Sequence, residues 1–124
     1  MTAAASVPRP SDPFEVVVRP ALPADARTIR DLVEPYASNR ILIPKELVGY
    51  FESLQEFLVA EVRAPGGGRG LVVGCGALHV MWDDLAEVRT LAVHRDWRRH
   101  GVGHAVLLRL LDRARDLGLR RVFC

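Results

Sequence analysis

The sequence predicts a single α/β domain with the element order β-α-α-β-β-β-α-β. Three features lead to this prediction. Short runs rich in β-branched residues, typical of strands, alternate with segments whose apolar residues recur every three or four positions, as in amphipathic helices. A glycine-rich turn, residues 65–70, separates two of the strand-like runs and predicts a hairpin. The length of 124 residues allows one domain at most.

The first predicted elements are a strand and a helix. Residues 14–19 form a β-branched run that stops at Pro20, which is typical of a strand. Pro23 suits the first helical position, and Pro35 limits how far the helix that begins there can extend. The apolar stripe of this helix, which we assign to the core, consists of Ile29, Leu32, Val33 and Tyr36.

A second helix and three strands follow. The helix stripe consists of Leu47, Tyr50, Phe51 and Leu54, and the strands cover residues 57–62, 71–82 and 86–94. Gly74 and Gly76 lie inside the second of these strands, where glycine indicates a bulge or a close approach of another element. Strict alternation places one set of side chains on the same face of the third strand, namely Glu87, Arg89, Leu91 and Val93.

The last helix is the clearest element of the pattern. From Gly103 an apolar stripe continues for about four turns, and Gly118 occupies the position just after the helix end. Residues 120–124 then begin a further strand. A strand that has only begun lacks its ladder partners and its next connection, so we expect the chain to be the N-terminal piece of a longer protein. The alternative is a short edge strand at a natural terminus.

The composition excludes several classes of protein. Apolar residues make up 49% and charged residues 26% of the chain, which gives enough apolar surface for a core and argues against disorder. No apolar run approaches the roughly 18–20 residues of a membrane span, and the N-terminus lacks the apolar segment of a secretory signal. Two cysteines do not make a disulfide scaffold. We expect a cytoplasmic protein that does not act at a membrane, with residues 1–13 as a flexible leader.

Positive charge is concentrated at the end of the chain. Residues 1–94 contain 9 Arg and Lys against 12 Asp and Glu, a net charge of −3, whereas residues 95–124 contain 8 Arg against 3 Asp, a net charge of +5. This asymmetry favours a local anionic ligand, with a solvated basic helix as the alternative. Nucleic acid is not expected as a partner, because no basic run is interleaved with aromatic residues, which make up 6% of the chain.

The segment with the most chemical content is residues 91–104, which read as the end of a strand, a basic loop and the start of a helix. Glycines two positions apart allow a tight turn with exposed backbone N–H groups, and the first helical turn adds unpaired donors and the positive end of the helix dipole. This combination predicts a cradle for a phosphate or pyrophosphate. The cradle consists of Arg98, Arg99, His100, Gly101, Val102, Gly103 and His104.

Three phosphate-binding patterns contain glycines at such spacing. A Walker A loop needs Lys followed by Ser or Thr after its last glycine, whereas His104 and Ala105 follow Gly103 here. A dinucleotide fingerprint needs a third small residue at position 106, where valine stands. The third pattern, Arg/Gln-x-x-Gly-x-Gly/Ala, is matched by residues 98–103.

With this loop in its setting, the chain resembles the GCN5-related N-acetyltransferase (GNAT) family. The resemblance includes the strand end before the loop, the basic lead-in at residues 95–99 and the leucine-rich helix after it. It implies a mixed, mostly antiparallel sheet flanked by helices, truncated here in the fifth strand, so that residues 14–124 are the first two-thirds of a domain. It also implies acetyl-CoA as co-substrate, with the loop on its pyrophosphate and the backbone of Leu91, Ala92 and Val93 along its pantetheine arm.

Four further segments resemble the short bacterial N-acetylglutamate synthases, which are amino-acid N-acetyltransferases: residues 41–45, 55–61, 73–79 and 113–119. This resemblance implies L-glutamate as the favoured acceptor, in the first step of arginine biosynthesis, and an acceptor pocket that includes Leu42, Lys45 and Cys75. Lys45 is the only lysine of the chain and suits a substrate carboxylate. A solvated lysine at a helix start is the alternative.

The candidate catalytic residue is Glu87. Acetyl transfer needs a deprotonated amine, and the family often uses a carboxylate on the strand before the loop as the base. A surface ion pair with Arg89 is the alternative function of this side chain. His100 and His104 lie four positions apart but lack a third ligand and the carboxylate of a metal motif, so we expect no metal.

Three functions remain open on the sequence alone. They are an amino-acid acetyltransferase that favours glutamate, an acetyltransferase with another amine acceptor, and a non-catalytic module that binds the coenzyme or a partner chain. An incomplete sheet exposes an edge and an apolar face, which favours a homo-oligomer. Because the family's usual general acid follows the fifth strand, we expect the 124-residue chain by itself to have no appreciable acetyltransferase activity.

Overall fold

The computed structural model describes residues 7–38, 46–68 and 70–124. It contains five strands and three α-helices in the predicted order within these residues. The elements are β1 (Glu15–Pro20), α1 (Ala26–Ser38), α2 (Leu47–Glu52), β2 (Phe57–Arg63), β3 (Leu71–Trp82), β4 (Leu85–Val93), α3 (Val102–Asp116) and β5 (Arg121–Phe123). Three short 3-10 turns accompany them, at Pro23–Asp25, Leu54–Glu56 and Arg95–Trp97.

The strands form one sheet in the order β1-β2-β3-β4-β5. The first three pairs are antiparallel, and β5 lies parallel to β4, as expected for a strand that follows a crossover helix. The prediction of a mixed, mostly antiparallel sheet is therefore confirmed. β5 pairs only with residues 85–87 of β4, so among the described residues the rest of β4 has a partner strand on its β3 side alone.

The sheet separates two apolar layers. Helix α3 covers one face, where its buried residues Val106, Leu110 and Ala114 pack against the sheet. Helices α1 and α2 cover the other face, where Ile29 and Tyr50 are buried. Opposite faces of β3 contribute to the two layers, since Leu78 belongs to the α3 layer and its neighbour Ala77 to the α1 layer.

Helix α1 continues past Pro35. A 3-10 turn at Pro23–Asp25 precedes it, and the α-helix runs from Ala26 through Pro35 to Ser38. Ser38 is three residues after Pro35, which is compatible with the expectation that the proline limits the extent of the helix. Leu32 and Val33 of the predicted stripe are buried just before the proline.

A bulge in β4 changes which side chains share a face. Arg89 pairs with Ala77 and Ala92 with Cys75, so two residues of β4 lie opposite the single residue Gly76. Thr90 in the bulge has a φ of 56°, which is rare for a β-branched residue. The expectation that Glu87, Arg89, Leu91 and Val93 share one face is therefore wrong: the extra residue reverses the alternation, and Leu91 and Val93 pack toward α3.

The glycines inside β3 allow the close approach that the sequence indicated. A Cβ atom at Gly76 would lie 2.9 Å from side-chain carbons of Leu110 and Val106.

At the C-terminal end of α3, the N–H of Leu119 donates to Ala114 O at 2.9 Å and the N–H of Gly118 to Arg115 O at 3.0 Å. These two bonds form a Schellman motif and confirm Gly118 as the residue after the helix.

Part of the predicted leader has a defined conformation. Residues 7–13 contain a turn in which the N–H of Asp12 donates to Arg9 O at 2.9 Å and the N–H of Arg9 donates to the Asp12 carboxylate at the same distance. Pro8 is buried. The flexibility of the leader stays a prediction, and residues 1–6 lie outside the described residues.

Candidate functional site

A buried tryptophan fixes the loop between β4 and α3. The 3-10 turn Arg95–Trp97 follows β4 directly, and Trp97 is 3% exposed. Its ring meets that of Phe14 edge-on, with 4.9 Å between the ring centres. The ring centres of His100 and Trp97 are 6.0 Å apart, and the Nδ1 atom of His100 lies 2.7 Å from Arg98 O. These contacts hold the loop in place on the apolar core before α3 begins.

The two loop glycines have different structural roles. Gly101 adopts a φ of +79° and caps the N-terminus of α3, and a Cβ atom there would meet nothing within 4 Å. Gly103 lies in the first helical turn, where a Cβ atom would come within 3.3 Å of the Val93 Cγ2 atom. Gly101 therefore provides the left-handed turn and an open approach, whereas Gly103 lets the helix lie close to the end of β4.

The loop and the start of α3 combine backbone donors with basic residues, as the sequence predicted. The N–H groups of the first turn of α3 have no acceptors within the helix and carry the positive end of its dipole. Four basic side chains lie on the same segment of chain. They are Arg98, Arg99, His100 and His104, and all are at least partly exposed. This arrangement suits a phosphate or pyrophosphate group.

Tyr36 links helix α1 to this loop. Its hydroxyl donates to Val93 O at 3.2 Å and accepts from Arg98 Nη2 at 3.1 Å. The Arg98 guanidinium also lies over the Tyr36 ring, with its central carbon 5.3 Å from the ring centre. The half-buried ring packs against the α1 layer, in agreement with the predicted stripe, and its hydroxyl also contacts β4 and the loop.

The end of β4 presents backbone groups toward this region. The N–H of His94 donates to Val73 O on β3 at 2.7 Å, so the preceding residue, Val93, directs its carbonyl to the opposite edge, where Tyr36 meets it. A cavity of about 370 Å³ lies beside it, lined by α1 and the loop, including Tyr36, His94 and Arg98. Of the predicted strand residues, Val93 pairs with Gly74 and Ala92 with Cys75, and the side chains of Leu91 and Val93 pack toward α3.

The candidate base lies on the α1 and α2 side of β4. The Glu87 side chain is 26% exposed and forms an ion pair with Arg89, and its register partner on β3 is His79. The Nδ1 atom of His79 in turn lies 2.8 Å from Glu56 Oε1. The ion pair with Arg89 that the sequence offered as an alternative is thus present. It leaves Glu87 near a small hollow of about 70 Å³ that includes Arg89, His79 and Thr90.

Cys75 does not line this hollow. Its side chain is fully buried, and its Sγ lies 3.6 Å from Thr90 O. Burial raises the pKa of Cys75 to about 12, so the thiol is neutral at physiological pH. The expectation that Cys75 lines the acceptor pocket is corrected, because the residue packs beneath the bulge in the α1 layer. Leu42 and Lys45, the other two predicted acceptor residues, lie outside the described residues.

The described residues contain neither a cluster of metal ligands nor a membrane-spanning helix. Within residues 7–38, 46–68 and 70–124, no group of three or more His, Cys, Asp and Glu side chains could hold a metal ion. In the same part of the chain, no helix is both long and apolar enough to cross a membrane.

A strand edge that ends in a basic loop with glycines, between α1 and α3, is the arrangement that the sequence resemblance predicted. The family model described as "Acetyltransferase (GNAT) family" matches residues 26–124. The chain therefore belongs to this family of acetyltransferases, and the prediction of family and fold is confirmed.

Two of the proteins that are similar in sequence are amino-acid acetyltransferases. The chain is 51% identical over 115 residues to an amino-acid acetyltransferase from Mycobacterium tuberculosis, a match that covers 93% of this chain and 63% of the relative. It is 28% identical over 106 residues to an amino-acid acetyltransferase from Aeromonas salmonicida, which covers 85% of this chain and 23% of that protein. The chain thus spans less than two-thirds of the length of these relatives.

Two solved structures share the fold and differ in how similar they are in sequence. A Mycobacterium tuberculosis protein in complex with CoA and NLQ superposes with a TM-score of 0.77 at 52% identity, over 86% of this chain and 61% of that one. The N-acetylglutamate synthase from Neisseria gonorrhoeae, complexed with coenzyme A and N-acetyl-glutamate, gives a TM-score of 0.74 at 26% identity, over 85% of this chain and 24% of that one.

Two contacts of the site were not predicted from the sequence, those of the Tyr36 hydroxyl and of the His79 ring. Tyr36 matched a core stripe, and nothing in its periodicity reveals that its hydroxyl reaches β4. The pairing of His79 with Glu56 joins residues 23 positions apart, so only the fold brings them together. The contact of Arg89 with Glu87, in contrast, matches the ion pair that the sequence offered as an alternative, and Arg89 also lines the small hollow.

Proposed function

We propose that this protein transfers the acetyl group of acetyl-CoA to the amino group of an amino acid, with L-glutamate as the favoured acceptor. One observation carries the proposal: a single strand, β4, has a carboxylate near its start and an anion-binding loop at its end. Glu87 is the third residue of the strand, and Gly101 caps the helix after it. Between them runs a backbone edge that β5 does not cover.

In this proposal the coenzyme lies along β4, with its pyrophosphate at the end of the strand and its thioester toward the start. Its pyrophosphate would bind the loop from Arg98 to His104, where backbone N–H donors and basic side chains converge. Its pantetheine arm contains amide groups, which match the outward N–H and C=O groups of Leu91 and Val93. The thioester then lies toward the bulge at Thr90, on the side of Glu87.

The reaction needs a proton acceptor and a leaving thiol. At neutral pH an amino acid carries an ammonium group, which becomes a nucleophile only after it loses a proton, and Glu87 is the carboxylate placed to accept that proton. The free amine attacks the thioester carbonyl carbon, so that the C–N bond forms and the C–S bond breaks. The departing sulfur takes up a second amine proton, and the first one passes to solvent, which leaves an amide and a free thiol.

The identity of the acceptor rests on the relatives. The proteins similar to this chain include amino-acid acetyltransferases and a synthase complexed with N-acetyl-glutamate, and this supports a free amino acid with glutamate first among the candidates. In this proposal Leu42 and Lys45 contribute to the acceptor pocket, with the lysine on a substrate carboxylate. The product would supply arginine biosynthesis.

The test is a thiol-release assay on the full reading frame that encodes this chain. We expect thiol release to depend on both acetyl-CoA and an amino acid, with the highest kcat/KM for glutamate among the standard amino acids. Glu87→Gln should lower kcat by about 10²–10⁴-fold and leave the Kd for CoA within about twofold, because it removes general-base catalysis alone. CoA binding without turnover on any amine would instead indicate a non-catalytic binding module.

A further inference from the structure

We propose that Arg89 selects acceptors that carry a carboxylate on the same carbon as the amino group. The acceptor's α-carboxylate replaces Glu87 as the ion-pair partner of Arg89, and its ammonium group takes the place of Arg89 beside Glu87. The free enzyme therefore holds its base in an ion pair that only a zwitterionic acceptor opens efficiently. This inference rests on the proposed function, since it requires Glu87 to act on an amino acid.

The two side chains are neighbours on one face of β4. Glu87 and Arg89 lie two positions apart, before the bulge, so they point to the same side of the sheet, and the Nε atom of Arg89 contacts Glu87 Oε1. Their register partners on β3 are His79 and Ala77. The bulge at Thr90 directs the next side chain, Leu91, to the opposite layer, so Glu87 and Arg89 are the last charged side chains of this face before the strand edge proposed for the pantetheine arm.

The ion pair is accessible to a ligand. The side chain of Arg89 is 45% exposed and that of Glu87 26%, so neither charge is sealed in the core. Arg89 lines the small hollow on the α2 side together with Ser53 and Ala77. An ion pair that is partly exposed contributes little to stability, so its exchange for a ligand costs the fold little.

The other charges near the hollow are already engaged. Glu56 reaches the same hollow, but its carboxylate lies 2.8 Å from His79 Nδ1. Arg113, which lies near His79 on the α3 side, donates from Nη2 to Gln55 O at 2.9 Å. Within the described residues, Glu87 is thus the carboxylate that Arg89 contacts, and a ligand carboxylate competes with that one partner.

An amino acid matches this pair in charge and in spacing. Its ammonium and α-carboxylate are bonded to one carbon, so its two opposite charges lie close together. The carboxylate of Glu87 and the guanidinium of Arg89 are likewise adjacent, since they are in direct contact. Insertion of the zwitterion replaces one ion pair by two, and a planar guanidinium can bind a carboxylate through two parallel hydrogen bonds. An amine without the carboxylate leaves Arg89 on Glu87, so the base remains occupied and the acceptor is disfavoured.

The experiment compares L-glutamate with its α-amide, in which the side-chain carboxylate is kept and the α-carboxylate is neutral. For the natural protein encoded by the full reading frame, we expect kcat/KM to be about 100-fold higher for glutamate than for its α-amide. The reason is that the amide leaves Arg89 without a ligand carboxylate. Arg89→Met should reduce this preference to below about fivefold, mainly through lower activity on glutamate, with an unchanged KM for acetyl-CoA. Arg89→Lys should keep an intermediate preference, because it keeps the charge but not the planar fork.

The control is Arg115→Met, which removes the same charge from an exposed position on α3, where the side chain is 80% exposed. It should leave the preference unchanged. If Arg89→Met retains the full preference for glutamate while the natural protein acetylates it, the inference about Arg89 is overturned and the proposed function stands. If the natural protein acetylates no amino acid at all, the proposed function itself fails. Should Arg89→Met not fold, the Arg89→Lys preference decides, since an unchanged ratio there contradicts the proposal.

Discussion

The Tyr36 hydroxyl lies 3.1 Å from Nη2 of Arg98 and joins helix α1 to the anion-binding loop. The same hydroxyl donates to the carbonyl of Val93 at 3.2 Å, so one side chain contacts both the end of β4 and the first basic residue of the cradle. The two residues are 62 positions apart in the sequence. The loop between β4 and α3 is thus linked to a helix that lies on the other side of the sheet from α3.

The first prediction concerns this link. Tyr36→Phe keeps the ring under the Arg98 guanidinium but removes both hydrogen bonds of the hydroxyl. We expect CoA affinity to fall on the order of tenfold, since a hydrogen bond to a charged group contributes about 1.5–3 kcal/mol and part of that remains in the ring contact. Isothermal calorimetry on the full reading frame measures the change.

A double-mutant cycle isolates the contact. Tyr36→Phe combined with Arg98→Ala should show a coupling energy of at least about 0.5 kcal/mol in CoA binding. The matched pair is Tyr36→Phe with Arg95→Ala, because Arg95 has the same charge, is 84% exposed and contacts Asp96 instead. Equal coupling in the two cycles would contradict a specific contact between Tyr36 and Arg98.

The second prediction concerns the loop glycines. Gly101→Ala should destabilise the protein by about 1 kcal/mol, because alanine resists a φ of +79°, and should also lower CoA affinity, because a shifted loop misaligns its donors. Bulky replacements of Gly101 and Gly103 together should abolish CoA binding. Thermal unfolding and calorimetry are measured on the same samples.

The control for that change is Gly67→Ala. Gly67 has a φ of +101° in the turn before β3, and a Cβ atom there would meet nothing within 4 Å, so it shares the backbone strain and lies outside the loop. It should lower the melting temperature similarly and leave CoA affinity unchanged. If Gly101→Ala also leaves affinity unchanged, the loop does not bind the coenzyme through its backbone.

The third prediction concerns thiol reactivity. Cys75 is fully buried with a pKa of about 12, whereas Cys124 is exposed. At pH 8, iodoacetamide should therefore label Cys124 in the native protein and reach Cys75 only after denaturation. Peptide mapping by mass spectrometry assigns the label. Labelling of Cys75 at a rate similar to that of Cys124 in the native state would show that the site beneath the bulge opens.

The fourth prediction concerns the pH dependence of stability. Burial raises the pKa of Asp25, but the hydrogen bonds from Arg19 and from the N–H of Leu22 outweigh it, so the pKa of this carboxyl is lowered overall. Arg19 Nη1 and the Leu22 N–H each lie 2.7 Å from the carboxylate. Because the folded pKa is below the unfolded one, the stabilisation is fully present above about pH 5 and is lost as pH falls through the folded value.

The measurement compares the natural protein with Asp25→Asn by urea unfolding. Above pH 5 the variant should be less stable by about 1–3 kcal/mol, because it loses charge-assisted hydrogen bonds in a buried position, and the difference should shrink below pH 4. The control is Asp31→Asn, whose ion pair with Arg30 is exposed and should contribute little at any pH. A pH-independent difference for Asp25→Asn would show that its ionisation is not the source of stability.

Much of the fold follows from local patterns in the sequence. The bounds of β3 and the end of α3 at Gly118 agree with the prediction, because turn chemistry and helical periodicity act over a few neighbouring residues. The strand end, loop and helix start over residues 91–104 were also predictable, since the glycines, the basic residues and the helix start are contiguous in the chain. These features depend on the order of residues alone.

The tertiary structure decided which side chains meet. The bulge at Thr90 arises from the register between β3 and β4 and reverses the faces of Leu91 and Val93, which alternation alone placed beside Glu87. Burial of Cys75 beneath α1 removes a thiol that the sequence placed in the acceptor pocket. Tyr36 reaches Arg98 only because α1 packs over the end of β4. Sequence patterns fix local conformation through short-range sterics, whereas register and packing depend on contacts between distant residues, and those contacts determine the composition of the site.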